Sequence, residues 1–509
     1  MSRNRLTRRQ MCQLLASGPT AATWLAGGAL GEAGAAEKGA EGDGPRLLCG
    51  VASVDITPEH EARIEGAGVK RFAQRVLDPL HAKAIVFSDG RKKVCFVSVD
   101  VIIITKQCAD RIRQAAKDMG FDPAAVMVHA TQTHAAPSLG AFHLDPDFPL
   151  RPASAEWLRS RDERFEEQAI PRTVEAIRKA DADLQPATVT HGRAIEGRVA
   201  FNRRAVTVDG SGVFMPPRQW PQPLGPVRMS HLEGPIDPEV AALVVRGEDG
   251  RVRSLLLHHT CHPVCTMARG VISADWPGAW CRAMEPIAGS QCLPVVVNGC
   301  CGNINPWDPF DPNHKDDHER IGKTLAETTA NLLRAKGHLH SAGPPIVDYC
   351  SQTLEWPFRR IDPERMAEAR AWLRRHPEVQ WADKQQTRID GRWFRAAMLV
   401  CVELQRQREK QFRYEIQAFR IGNVAIVGWP GEPFVEGQLA IKQASPAQRT
   451  IVAHCVNQYV GYIPTRRAFE YPEGRRGHEV NTSTWSKLPP DALDQIVTET
   501  TTVLRRVMG

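Results

Sequence analysis

Val94-Cys95-Phe96-Val97-Ser98-Val99-Asp100-Val101-Ile102-Ile103-Ile104 is the longest apolar run after the N-terminal segment, and its reading decides the fold. Crossing a bilayer takes about 20 apolar residues, so this run is too short, and it carries Asp100 in its middle. Its β-branched residues make it a buried strand. Residues 107–119 follow with helical apolar spacing. Residues 126–129 are a short strand that runs into a polar loop.

The same alternation extends outward in both directions. Residues 47–56 and 82–87 read as strands, 156–180 as a helix and 187–193 as extended chain. Residues 240–246 and 253–259 form a hairpin around Glu248-Asp249-Gly250, a turn sequence. Residues 276–287 are helical, 293–297 a strand, and 318–335 an amphipathic helix. Residues 364–375 and 395–408 are helices, 415–421 and 424–428 a second hairpin, and 493–507 a closing helix. No Pro/Ser-rich linker, low-complexity tract or sequence repeat divides this part. The expectation is one α/β domain over 46–509, with mixed central β-sheets flanked by helices.

The N-terminus reads Thr7-Arg8-Arg9-Gln10-Met11, then a mild apolar stretch over 14–30, then Ala33-Gly34-Ala35. Gly18-Pro19, Gly27 and Gly28 weaken the stretch as an anchor. Paired arginines, a weak apolar region and a small-residue exit describe a twin-arginine export signal over 1–35, with a linker over 36–45. The expected location is therefore the periplasm or the exterior. Removing this signal takes the net charge from +7 to +4. Basic residues elsewhere are interspersed with acids, so no nucleic-acid footprint is indicated, and no transmembrane segment is expected in the mature chain. The twelve cysteines after the signal follow no disulfide-framework spacing. Cys95, Cys350 and Cys401 sit in apolar, strand-like contexts, where cysteine acts as a small hydrophobe.

Chemistry-bearing residues collect in five loops at expected strand ends. They are His129-Ala130-Thr131-Gln132-Thr133-His134-Ala135-Ala136-Pro137; His258-His259-Thr260-Cys261-His262-Pro263, continuing to Asp275; Asn298-Gly299-Cys300-Cys301-Gly302-Asn303-Ile304-Asn305-Pro306; Gly428-Trp429-Pro430-Gly431-Glu432-Pro433; and Asn457 through Gly461-Tyr462-Ile463-Pro464-Thr465. Singly, each has an ordinary reading: a hydrogen-bonded histidine, a solvated turn glutamate, a core tyrosine. The histidines and cysteines over 258–265 lack the paired Cys-x-x-Cys halves of a structural zinc site.

Together, and with Gly50-Val51-Ala52-Ser53-Val54-Asp55-Ile56-Thr57-Pro58 and Asp78-Pro79-Leu80-His81, the five loops resemble the neutral, non-lysosomal ceramidases, in particular their prokaryotic relatives. The resemblance implies the catalytic-domain fold of that family, without its C-terminal sandwich domain. It also implies an exported metal-dependent hydrolase that cleaves an N-acyl amide with zinc-activated water. The substrate would be a small-molecule or lipid amide; the alternatives are a hydrolase of another amide or ester on the same scaffold, or a metal-poor, non-catalytic binding homologue.

The family holds one zinc with two His, a Glu and a Tyr. By resemblance His262, Glu432 and Tyr462 are three of these ligands, and Gln132 stands where the family has its first histidine. Gln is a neutral oxygen donor, poorly matched to zinc. The resemblance thus leaves three outcomes: His134 becomes a ligand, Gln132 makes a weaker site, or the metal is lost. Arg203, in Asn202-Arg203, matches an arginine lining the family's pocket. Asn305 replaces a proposed catalytic serine, which leaves hydrogen-bond donation to an oxyanion as its role. His134 or His259 would hold or shuttle a proton, and Asp275 would either cap a helix or orient a ligand histidine. Tyr471-Pro472-Glu473-Gly474 and Gly477-His478-Glu479 both partly match a later segment near the family's site.

Overall fold

The computed structural model describes residues 46–64, 68–216, 228–267, 269–311, 313–315 and 317–509. The expected signal and linker lie outside the described residues. The first sheet contains β1 (Leu48–Asp55), β2 (His81–Ser88), β3 (Lys93–Val99), β4 (Val126–Ala130), β5 (Gln185–Ile195), β6 (Glu239–Gly247), β7 (Val252–His259) and β8 (Leu293–Asn298). Its order is β8-β7-β6-β5-β1-β2-β3-β4, with the short piece His340–Ser341 beside β5. A second sheet contains β9 (Val347–Trp356), β10 (Phe412–Ile421), β11 (Val424–Gly428) and β12 (Arg449–Ala453), in that order.

The helices are α1 (Lys106–Ala115), α2 (Glu163–Ala182), α3 (Asp275–Ala288), α4 (His318–Arg334), α5 (Pro363–Arg375), α6 (Gly391–Arg408), α7 (Val435–Ala444) and α8 (Ala492–Met508). Phe87, Phe96, Leu243, Leu256 and Val297 of the first sheet pack against Phe419, Ile426 and Ile451 of the second. Apolar faces of α1 and α2 cover one half of the first sheet's outer side, and those of α3 and α4 the other. Ile441 of α7 and Ile496, Val503 and Leu504 of α8 cover the second sheet. The result is four layers, helices outside and sheets inside, as the alternating pattern predicts. The chain from Pro45 to Gly509 forms one compact unit.

One arrangement occurs three times. β2 and β3 pair antiparallel, α1 crosses over, and β4 lies parallel to β3. β6, β7, α3 and β8 repeat it, as do β10, β11, α7 and β12. No sequence repeat betrays this. Only the hairpin-then-helix pattern is shared, while the side chains differ from unit to unit.

Local departures from the sequence expectations have local causes. The strand expected over 94–104 ends at Val99. Residues 101–104 stay buried but bond a loop instead, with Leu139 N donating to Ile103 O and Thr105 N to Leu139 O. The helix expected over 156–180 is broken by Ser160 at φ 60°, and Asp162 caps α2 by accepting from Phe165 N. Cys401 lies in α6 rather than in a strand. All twelve described cysteines are free thiols.

Candidate active site

The carboxyl ends of β4, β8 and β12 meet, the usual place for a ligand in sheets with parallel crossovers. His129 Nδ1 donates to His454 O at 2.7 Å, and its Nε2 accepts from Asn298 N at 3.1 Å. His454 N donates to Asn298 O, and Asn457 Oδ1 accepts from Val128 N. Burial pulls the His129 imidazole down to about 4, so it is a neutral strut.

Above this junction lies a buried pair. His262 Nε2 stands 3.1 Å from Glu432 Oε2. His262 Nδ1 lies 2.6 Å from Cys301 O and 3.1 Å from Ile304 O. Carbonyls only accept, so Nδ1 carries a proton and the ring is oriented by the loop after β8. On a neutral ring Nε2 is an acceptor facing a carboxylate oxygen, and two acceptors that close need a proton or a cation between them. Burial would push the Glu432 carboxyl up, but the His262 hydrogen bond and charge, with Arg203 and Gln132, outweigh it and hold it below the usual range. Glu432 reaches this position in a short parallel pairing with Tyr462. Gly431 makes the approach at φ 71°, where a Cβ would lie 2.5 Å from Gly461 O.

Gln132 and His134 stand on the same spot. Gln132 sits at φ 69°, a left-handed conformation costing a non-glycine residue about 1–2 kcal/mol. Its Oε1 accepts from the Cys301 thiol at 3.4 Å, and its side chain hydrogen-bonds Glu432. Gln132 therefore offers Glu432 its amide N–H. The half-buried His134 donates from Nδ1 to Gln132 O at 2.9 Å, leaving the Nε2 lone pair free, and its ring centre is 5.5 Å from that of His262. Burial, reinforced by the charge of His262, pushes His134 down to about 3, so it is a neutral imidazole.

Arg203 and Asn305 are brought together because Phe201–Asn202 pairs antiparallel with Ile304–Asn305. Arg203 Nη1 donates to Asn305 Oδ1 at 3.2 Å and its Nε to Glu479 Oε1 at 3.0 Å. Its guanidinium lies 5.3 Å from the centre of the Tyr462 ring. Arg204 binds the other oxygen of Glu479 at 3.1 Å and also bonds Glu233. Of the two late segments, Gly477-His478-Glu479 reaches the site: His478 packs edge-on to Tyr462, with ring centres 5.4 Å apart. Asn305 Nδ2 faces Met215 Sδ at 3.7 Å.

Tyr462 and Glu432 are backbone neighbours without a mutual side-chain hydrogen bond. Tyr459 supplies that bond instead, its hydroxyl donating to Glu432 Oε1 at 3.0 Å. Burial, then the Glu432 charge, pushes both phenols well above their usual range, so both stay protonated. Sequence reasoning missed Tyr459. Its one signal was its place in the fifth loop, three residues before Tyr462.

Two residues singled out from the sequence lie outside this network. His259 packs edge-on against Trp276, with Nδ1 3.4 Å from Glu239 O, and shares no hydrogen bond or ring contact with the His262–Glu432 pair. It alternates with His258 on β7, so its side chain leaves the sheet on the opposite face. Asp275 opens α3 at φ 54° and accepts from Thr266 N and Oγ1, fixing the loop after His262 rather than its ring.

The donor chemistry fits a cation. His262 and Glu432 converge, and His262 and His134 each have Nδ1–H tied to backbone carbonyls, which leaves Nε2 as the ligating atom. As the side chains stand, no three His, Cys, Asp or Glu among the described residues gather closely enough to hold a metal ion. His134 would have to turn toward the pair, or the Gln132 amide turn over to present its oxygen.

The fold is similar to that of neutral ceramidase from Pseudomonas aeruginosa, with a TM-score of 0.64 at 17% identity over 92% of this chain and 75% of that one. A second structure, of a ceramidase complexed with C2, matches with a TM-score of 0.63 at 17% identity, over 91% of this chain and 76% of that one. No protein-family model matches the chain, and no curated protein does. The likeness is one of fold, and it agrees with the architecture expected from the sequence.

Proposed function

We propose that the protein is a ceramidase-like hydrolase that cleaves an N-acyl amide at the His262–Glu432 centre. The observation that carries this reading is the buried His262 Nε2–Glu432 Oε2 approach of 3.1 Å, with the other imidazole nitrogen committed to backbone carbonyls. The likeness of fold to two ceramidase structures supports it.

His262 and Glu432 would hold a divalent metal, zinc by the sequence resemblance, with His134, Gln132 or Tyr462 completing the set. When bound, such an ion supplies Lewis acidity and a water that ionises near pH 7. The chain's own groups do the rest. Tyr459 fixes the Glu432 carboxylate. Arg203, held in place by Glu479, carries a positive charge to the side of the site where a carbonyl oxygen gathers charge, and Asn305 adds an amide donor beside it. His134, neutral and with Nε2 free, would accept a proton. Met215, 43% exposed against Asn305, offers an apolar edge for an acyl chain. The Arg8-Arg9 signal supports an exported enzyme, which reporter fusion to residues 1–45 would test.

Gln132 favours a second reading, a binding homologue that has lost the metal, because its amide donates where a ligand would accept. Metal analysis and hydrolysis of a fluorescent N-dodecanoyl amide separate the two. The hydrolase reading expects stoichiometric zinc, or zinc-dependent turnover, abolished by Glu432→Ala. It also expects Gln132→His to tighten zinc binding. A protein that takes up no zinc and hydrolyses nothing with either variant is the binding homologue.

A further inference from the structure

A groove of about 1070 Å³, lined by none of these site residues, runs between α5, the end of α6 and the segments 357–361 and 489–490. Six cations line it: Arg359, Arg360, Arg370, Arg374, Arg406 and Lys410. Glu403 is the acid on its wall. Glu403 is already used, since Arg406 binds both its oxygens at 2.7 and 2.8 Å. Arg360, Arg370, Arg374 and Lys410 hold no carboxylate in an ion pair among the described residues.

Arg359 adds a buried charge without a counterion. It is 8% exposed, and its guanidinium donates to Leu488 O at 2.9 Å, Val480 O at 2.7 Å and Ser486 Oγ at 3.1 Å. These neutral acceptors satisfy its hydrogen bonds, the Phe469 ring faces its guanidinium at 4.7 Å, and no carboxylate pairs with it among the described residues. Burial, with Arg476 and Arg365 nearby, disfavours the charged form. Along α5, Arg370 and Arg374 stand four residues apart on one face, a like-charge spacing that destabilises a helix unless an anion intervenes. Met366 lies one turn earlier on that face. With Phe358 and Ile361 it gives the groove an apolar floor.

We propose that this groove binds an anionic amphiphile, its oxyanion head among the arginines and its alkyl chain along Phe358, Ile361 and Met366. Guanidinium groups match phosphate, sulfate and carboxylate oxygens in pairs, and the floor removes apolar chain from water. The site is separate from the His262–Glu432 centre and does not depend on what that centre does.

Calorimetric titration of the full protein with dodecyl phosphate, kept below its micelle concentration, tests the proposal. Dodecyl phosphate should bind at one site, at least about tenfold tighter than inorganic phosphate or dodecyl maltoside, and more weakly as salt rises. Arg370→Glu with Arg374→Glu should weaken it by about tenfold or more while the far-ultraviolet dichroism stays unchanged; should that pair fail to fold, Arg370→Gln with Arg374→Gln takes its place. The proposal is overturned if dodecyl phosphate does not bind, if dodecyl maltoside or inorganic phosphate binds as tightly, or if the folded double variant keeps full affinity.

Discussion

Arg203 and Arg204, held at Glu479, and Arg359, held at the neighbouring Val480, are buried guanidinium groups handled in opposite ways. Glu479 bridges the first two, and Glu233 closes on Arg204. That network is neutral overall, and it holds the Arg203 guanidinium beside Asn305 and the Tyr462 ring. Arg359 has carbonyls and hydroxyls instead, so its charge adds to that of a groove already rich in cations. Taking a charge out of water is costly in both places. A carboxylate offsets the cost by attraction and fixes geometry, while a carbonyl offers only a hydrogen bond and leaves a field that reaches the surface. Matched charge builds a rigid site, and unmatched charge builds a site that awaits an anion.

Removing the shared acid breaks the contrast most sharply. Glu479→Ala leaves two buried guanidinium groups short of a partner and should cost about 3–5 kcal/mol in urea unfolding. A loss within the range of a surface substitution would show that Arg203 and Arg204 are not held by charge. Next in size is Glu432→Gln, which keeps the shape and removes the charge. Hydrolysis of the fluorescent amide should fall by at least about 10²-fold while the protein stays folded. Activity close to that of the parent would remove Glu432 from the reaction.

Acid provides the third test. Glu432 and Glu479 have carboxyls held below their ordinary range, and Asp237, despite its burial, is pulled down to about 2 from 3.8 by Lys442 and His258. For a depressed acid the stabilisation is complete above the unfolded value and disappears as pH falls through the folded one. Thermal stability should therefore drop between about pH 4 and pH 2, and Asp237→Asn should flatten that fall. A parent profile that is flat over this window would contradict the ion-pair reading. The cations of the groove do not titrate there, so the groove variants should follow the parent's acid profile. The smallest effect belongs to them: Arg370→Glu should change stability by only about 0.5 kcal/mol, because its side chain is exposed and unpaired.

Much of the architecture was legible in local pattern. Hairpins 239–259 and 412–428 and helices α4 and α8 lie within a few residues of where periodicity and turn residues put them. The strand Val347–Trp356 escaped beyond the hint of Cys350, because one of its faces alternates exposed polar residues with little apolar content. Residues of all five loops do meet in the fold, around His262 and Glu432. The loops could not rank their own members. His259 shares the second loop with His262, yet the two-residue period of β7 sends it toward Trp276. Tyr459 carried no mark that distinguished it from Tyr462. Asp275 serves a loop hydrogen bond that no spacing rule announces.

By itself the sequence determined the alternation of strands and helices, and the layer architecture that follows from it. These depend on periodicity and turn residues, which act between near neighbours in the chain. The tertiary structure alone decided which donors face one another: that His262 meets Glu432, that Tyr459 rather than Tyr462 bonds it, that Glu479 serves two arginines, and that six cations share one groove. Those pairings join residues as many as 276 positions apart. They are set by how three strand–strand–helix–strand units close against each other, which no local pattern encodes.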